Sequence, residues 1–64
     1  MKSELVDIEV RLHAESKYAV MVSTDGEKVN AVWLPKSQIE IEANRSGTYT
    51  VTMPSWLAAE KELT

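Results

Sequence analysis

Cysteine is absent from this chain of 64 residues, and histidine occurs once, as His13. Disulfide bonds are therefore excluded, and so is the zinc site of grouped cysteine and histidine ligands that reinforces many small domains. A chain of this length buries only about 60% of the surface that it exposes when unfolded. We therefore expect one thin-cored domain over residues 1–64, supported by self-association or by a partner protein. The lack of cysteine also fits a cytoplasmic setting.

Glycine is scarce as well, with two residues in the chain, and no glycine-rich phosphate loop, nucleophile elbow or metal-ligand spacing occurs. We predict that the protein is not an enzyme, with no catalytic residue, no cofactor and no metal. No apolar run is long enough to cross a membrane, so we expect no membrane association. The net charge of -3 disfavours nucleic acid, since binding to phosphate backbones relies on cationic side chains.

The titratable side chains show no catalytic or metal-binding grouping. His13 lies in a polar stretch without an identifiable partner group, so we interpret it as a solvated turn histidine. Carboxylates recur two residues apart on the outward faces of predicted strands, whereas hard cations bind oxygens clustered at a turn. We interpret these carboxylates as solvated faces; they are Asp7, Glu9, Glu40 and Glu42.

Alternating hydrophobicity predicts the first strands. Residues 4–12 alternate cleanly, which indicates a half-buried strand, and residues 13–16 are interpreted as a turn. Residues 17–23 are almost continuously apolar, which is typical of a central strand covered on both faces. Asp25-Gly26 favours a type I′ turn, so we predict a hairpin to a third strand at residues 28–34.

Pro35 should end that third strand, because proline cannot donate a hydrogen bond to a sheet. Residues 38–42 alternate again and predict a fourth strand with Ile39 and Ile41 facing inward. A turn-rich connection leads to a fifth strand at residues 48–53. In that strand we place Tyr49, Val51 and Met53 inward and Thr48, Thr50 and Thr52 outward.

The period changes after Pro54 and predicts a short helix at residues 55–63, with Trp56, Ala59 and Leu63 on its apolar face. So short a helix must dock on something, and the open end of its own sheet is the simplest target. The fold class is mainly β: a five-stranded antiparallel, strongly bent sheet or small SH3-like barrel with a short C-terminal α-helix. An OB-like barrel is the alternative.

Two motifs in the second half of the chain carry a resemblance. AVWLPKSQIEIE, at residues 31–42, and YTVTMPSWLAAEKEL, at residues 49–63, are similar to small bacterial and phage or prophage proteins. In that group a WLPKSQ turn is followed by an MPxWLA helix start. The resemblance implies a microbial or viral setting and supports the fold, but it brings no activity and no functional residue.

Candidate interaction residues come from the same motifs. Trp33 and Trp56 belong to the residue type most enriched in binding hot spots, although we favour the interpretation that both fill the core. Lys36, Ser37 and Gln38 form an exposed turn that could contact phosphate or a partner backbone, with local hydrogen bonding by Ser37 as the simpler interpretation.

Three functional hypotheses follow. The first is a protein-interaction module, such as a phage or prophage accessory or inhibitor protein, which docks on a host protein through a strand edge or a Trp-centred patch. The second is a nucleic-acid-binding small β-barrel, and the third is an acidic mimic of a phosphate backbone. The second would use a mixed set of cationic and aromatic residues: Lys28, Lys36, Arg45 and Tyr49.

Overall fold

The computed structural model describes residues 4–63, so Met1 to Ser3 and Thr64 of the predicted domain lie outside the described residues. It confirms the mainly β fold class, with five antiparallel strands in one sheet and a short C-terminal helix. Two short 3₁₀ turns, Lys28–Asn30 and Lys36–Gln38, flank the third strand. The regular elements are β1 (Leu5–Glu15), β2 (Ala19–Ser23), β3 (Val32–Pro35), β4 (Glu40–Ala43), β5 (Tyr49–Pro54) and α1 (Ser55–Glu60).

The long first strand joins two halves of the sheet, whose strand order is β3-β2-β1-β5-β4. Residues 5–10 of β1 pair with β5, which in turn pairs with β4. Residues 11–15 of β1 pair with β2, which pairs with β3, and a bulge between Leu12 and Ala14 interrupts the β1–β2 pairing. Because bulges increase local twist, β1 is more strongly twisted in this half of the sheet.

The sheet must be strongly bent, because β3 and β4 lie at its opposite margins yet are joined by a short connection. In a flat sheet, four strand spacings would separate them by about 19 Å. The connection from Pro35 to Glu40 contains a 3₁₀ turn and spans only about 13 Å. Bending brings the margins together without closing a barrel, so the bent-sheet alternative describes this fold.

The core lies between the two halves of the sheet and under the helix. The strands contribute every second residue to it, which is why the period-2 pattern of the sequence indicates β1 and β5, and the helix contributes Leu57 and Ala58. Tyr49 packs against this core at its margin, as predicted. The buried hydrophobic side chains are Val10, Val20, Val22, Leu34, Val51, Met53, Leu57 and Ala58.

His13 does not lie in a turn, and the interpretation as a solvated turn histidine is wrong. β1 runs on to Glu15, and His13 occupies the bulge within it. Its Nε2 atom lies 2.7 Å from Oγ of Ser23, which is fully buried. The bulge places the imidazole beside the Ser23 hydroxyl. The hydrogen bond between them stabilises the fold, because a buried hydroxyl without a hydrogen-bond partner is costly.

The β2–β3 hairpin exists, but the Asp25-Gly26 type I′ turn does not. That turn needs positive φ at both central residues, and here only Gly26 has it, at φ 81°. The predicted start of β3 is instead a 3₁₀ turn, and the Asp25 carboxylate closes the loop. It accepts hydrogen bonds from the backbone N–H of Glu27 at 2.9 Å and from the side chain of Asn30 at 2.7 Å. These bonds, the Glu27 one first, lower the pKa of Asp25 from its ordinary value.

The predicted face of the helix is also wrong. Leu57 and Ala58 are buried, whereas Ala59 is exposed and Trp56 is 50% exposed. With six residues, α1 is too short for the period to determine its face, and contact with β5 and β1 decides it. Leu63, beyond the helix, packs against the core as predicted.

The helix begins at Ser55, the first residue of the predicted range, but ends at Glu60, three residues before the predicted end. Pro54 occupies the cap position, with extended φ and ψ. The backbone N–H of Ser55 donates to the Glu4 carbonyl at 2.7 Å, which fastens the helix start to β1. In the described part of the chain, no helix has the length and apolar character that a bilayer crossing requires.

Candidate functional site: the β4 edge

Strand β4 lies at one margin of the sheet and is exposed along its whole length. Its residues pair with β5 on one side, and no described strand pairs with them on the other. Ile41 was predicted to face inward, and it does lie opposite the buried Val51, yet it is 39% exposed. The exposure of Ile41 follows from the marginal position of β4, because an inward side chain on an edge strand has a neighbouring strand on one side only. We call residues Glu40–Ala43 the β4 edge.

The backbone of the β4 edge offers two complete donor–acceptor pairs. Asn44 donates its N–H to the Thr48 carbonyl at 2.8 Å, so residues 44 and 48 form a hydrogen-bonded pair. Since such pairs alternate along an antiparallel ladder, Glu42 and Glu40 also bond to β5. The N–H and C=O groups of Ile41 and Ala43 therefore point away from the sheet.

The opposite margin of the sheet, β3, has fewer outward backbone N–H groups. Lys36 donates its N–H to the Tyr18 carbonyl at 2.8 Å, so the same alternation leaves Trp33 and Pro35 pointing outward. Proline has no N–H, which leaves Trp33 as the single outward donor of β3. This position also explains why Pro35 is tolerated within a strand, since no ladder bond is lost there.

A row of carboxylates lies on the outer face of β1, β5 and β4. The register places Asp7 and Glu40 on either side of Thr52, and Glu9 and Glu42 on either side of Thr50. We call Asp7, Glu9, Glu40 and Glu42 the acidic face. This register confirms that Thr50 and Thr52 face outward with the acids.

Threonine hydroxyls hold the two β1 carboxylates of the acidic face. Thr52 Oγ1 donates to Asp7 Oδ1 at 2.5 Å, and Thr48 Oγ1 donates to Glu9 Oε2 at 2.6 Å. Within residues 4–63 the structure shows one ion pair, Lys36 Nζ to Glu15 Oε2 at 2.6 Å, and it involves no member of the acidic face. Among residues 4–63, no cationic side chain therefore lies within ion-pair distance of Glu40 or Glu42 at the margin of the sheet.

The five candidate residues from the sequence lie in separate places. Ser37 and Gln38 line a shallow groove together with Glu40, at the start of the β4 edge. Lys36 turns away from them into its ion pair with Glu15. Ser37 and Gln38 therefore lie beside the β4 edge, whereas the side chain of Lys36, from the same turn, contacts Glu15 of β1.

The two tryptophans belong neither to the core nor to that groove. Trp33 is 42% exposed on the outer face of β3, beside Met21 and in the same row as Ala14. Trp56 is on the solvent side of the helix. The core interpretation is wrong for both side chains, because the strand and helix faces that reach the core carry Leu34, Leu57 and Ala58 instead.

The residues proposed for nucleic-acid contact do not form a stacking groove. Tyr49 packs against the core, and Lys36 is held by Glu15. Lys28 precedes β3 and Arg45 follows β4, so they flank different margins of the sheet. Binding of single strands on a small barrel needs aromatic rings along a positive channel, and these four residues do not provide one.

Sequence reasoning missed the β4 edge itself. The alternation of Glu40 and Glu42 was visible, but the pairing order that puts β4 at a margin comes from contacts distant in sequence. Over residues 4–63, no group of three or more histidine, cysteine or acidic side chains is arranged to hold a metal ion. Comparison with protein-family models, curated proteins and solved structures finds no match to the chain.

Proposed function

We propose that this chain is a small non-enzymatic protein-interaction module that docks on another protein through its β4 edge. The phage or prophage setting suggested by the WLPKSQ and MPxWLA motifs makes it an accessory or inhibitor protein acting on a cytoplasmic protein of a bacterial host. The observation that supports this proposal is the pair of free donor–acceptor groups at Ile41 and Ala43 on a strand whose residues are all exposed.

Addition of a strand is a general mode of protein recognition. A free sheet edge gives affinity through main-chain hydrogen bonds, and the alternating side chains give specificity. Proline at a sheet edge is one way in which proteins block the addition of another strand. The β3 margin has such an interruption at Pro35, and the β4 edge has no proline within it.

Ala43 allows a test that changes a single donor. Ala43→Pro removes an outward N–H, and because residue 43 is not bonded to β5, no ladder bond is lost. Ala43→Thr is the matched control, since it keeps the N–H and suits a strand. We expect immobilised wild type and Ala43→Thr to capture the same host protein from bacterial extract, and Ala43→Pro to capture little of it.

The wild type and both variants must also show equal thermal unfolding. Capture of no protein by a monomeric wild type would overturn the proposal, and equal capture by Ala43→Pro would show that the module binds through another surface. Displacement of the partner by added DNA would instead support the phosphate-mimic hypothesis, with the acidic face as the binding surface. Direct binding to labelled nucleic acid that weakens steeply with salt would support the second hypothesis from the sequence.

A further inference from the structure

We infer that the strand received by the β4 edge carries basic and apolar side chains in alternation, with the basic ones opposite Glu40 and Glu42. This inference rests on the proposed function and names the chemistry of its partner. It follows from three properties of the β4 edge: the direction of its backbone groups, the charge of its outer face, and the partly uncovered Ile41 on its inner face.

The backbone fixes the phase of the added strand. Its hydrogen bonds must go to Ile41 and Ala43, because these residues hold the free N–H and C=O groups. Residues directly opposite each other in neighbouring strands share one face of a sheet. The partner residue opposite Ile41 therefore points to the inner face, and its two chain neighbours point outward beside Glu40 and Glu42.

Charge selects the outward residues of the partner. Glu40 and Glu42 have no cation within ion-pair distance among the described residues, and the next outward carboxylates, Asp7 and Glu9, lie two strands away on the same face. Opposite charges in cross-strand pairs stabilise a sheet, whereas like charges directly opposite destabilise it. Lysine or arginine therefore fits these positions, and an acidic side chain does not.

Burial selects the inward residue. Ile41 lies beside the fully buried Val51 on the core side of the sheet, yet 39% of it is exposed. Ile39, two residues earlier, already packs against the core. An apolar residue opposite Ile41 would extend this inner layer by one strand and remove the remaining apolar surface of Ile41 from water.

A second copy of this chain fits the edge poorly. In an antiparallel pair of β4 strands centred on Ile41, Glu40 of each copy faces Glu42 of the other. Shifting the register by two residues places Glu42 opposite Glu42 instead. Both arrangements that use the strand fully set like charges against each other. The β3 margin of another copy brings one outward N–H, at Trp33, because Pro35 has none.

The experiment uses capped peptides as probes. A peptide in which lysine and valine alternate is titrated into isotope-labelled protein, beside a peptide in which glutamate replaces lysine and one with the lysines and valines in blocks. We expect the alternating lysine peptide to bind and to protect the N–H groups of Ile41 and Ala43 from exchange. The glutamate peptide and the block peptide should bind at least about tenfold more weakly.

Charge variants give the matched control. Glu40→Gln with Glu42→Gln should weaken binding of the lysine peptide about tenfold, from the loss of two cross-strand charge pairs. Asp7→Asn with Glu9→Gln removes the same charge two strands away and should change binding by no more than about twofold, because exposed charges are screened over that distance.

Each contrary outcome has a definite meaning. Equal binding of the glutamate peptide, or equal effects of the two double variants, would overturn the charge assignment. A concentration-dependent dimer that protects Ile41 and Ala43 would make a second copy the occupant and overturn the inference. If an Ala43→Pro-sensitive host partner is captured but the lysine peptide does not bind, the proposed function stands and this inference falls.

Discussion

Two neighbouring alanines in α1 allow a sharp test of how the helix is seated. Ala58 is 0% exposed, whereas Ala59 is exposed. Lysine at position 58 must place extra methylenes and a charge in a filled interior. Overpacking alone costs about 1 to 3 kcal/mol, and a buried unpaired ammonium adds several more. A core of this size rarely supplies more than about 3 to 5 kcal/mol, so Ala58→Lys should be largely unfolded.

The matched control is Ala59→Lys, which changes the net charge and the helix propensity in the same way. We expect it to alter the free energy of unfolding by no more than about 0.5 kcal/mol. Leu57→Ala is the intermediate case, with a loss of about 3 kcal/mol and a fall in Tm of about 12 to 24 °C. Thermal unfolding followed by circular dichroism measures all three. A cooperative transition for Ala58→Lys beside an unfolded Ala59→Lys would refute the seating described here.

Three other predictions concern the loops and the bulge. The Asp25 carboxyl should titrate below its ordinary pKa of 3.8. The loop that it closes is therefore stabilised above this pKa and loses that stabilisation as the pH falls through the lowered pKa. A titration midpoint at or above 3.8, measured by NMR, would contradict this prediction. Gly47 has φ 90°, so Gly47→Ala should cost about 1 kcal/mol in chemical denaturation and Gly47→Asn less, and equal losses would contradict the strain argument. His13→Ala should lower the free energy of unfolding by about 1 to 3 kcal/mol, because it leaves the Ser23 hydroxyl unpaired. Adding Ser23→Ala should recover part of this loss, and no recovery in the double variant would contradict the pairing.

Strands with one buried face were the most predictable part of this fold. From Val6 to Leu12 of β1, and in β5, every second residue packs in or against the core, so the period-2 pattern indicates both the strand and its orientation. The helix was predictable as a helix but not in its orientation. A segment of six residues completes less than two turns, and packing against β5 placed Leu57 and Ala58 inward in preference to Trp56.

Other features depend on contacts that no local pattern records. The bulge at His13 follows from pairing with β2, and the buried partner of the histidine, Ser23, is ten residues away. The order of the strands, which makes β4 marginal, depends on β5 pairing with β1 across the length of the chain. The exposed state of Ile41 follows from that order. The sequence therefore shows the residues of the candidate site, but it does not show that they lie together on one exposed edge.

Amide hydrogen exchange at the β4 edge tests the central claim most directly. In the free protein, the N–H groups of Ile41 and Ala43 should exchange quickly, while that of Glu42, bonded to Thr50 of β5, should exchange slowly. Addition of the captured partner should slow exchange at Ile41 and Ala43 selectively. Slow exchange at these two residues in the free monomer, or no change when the partner binds, would contradict docking at the β4 edge.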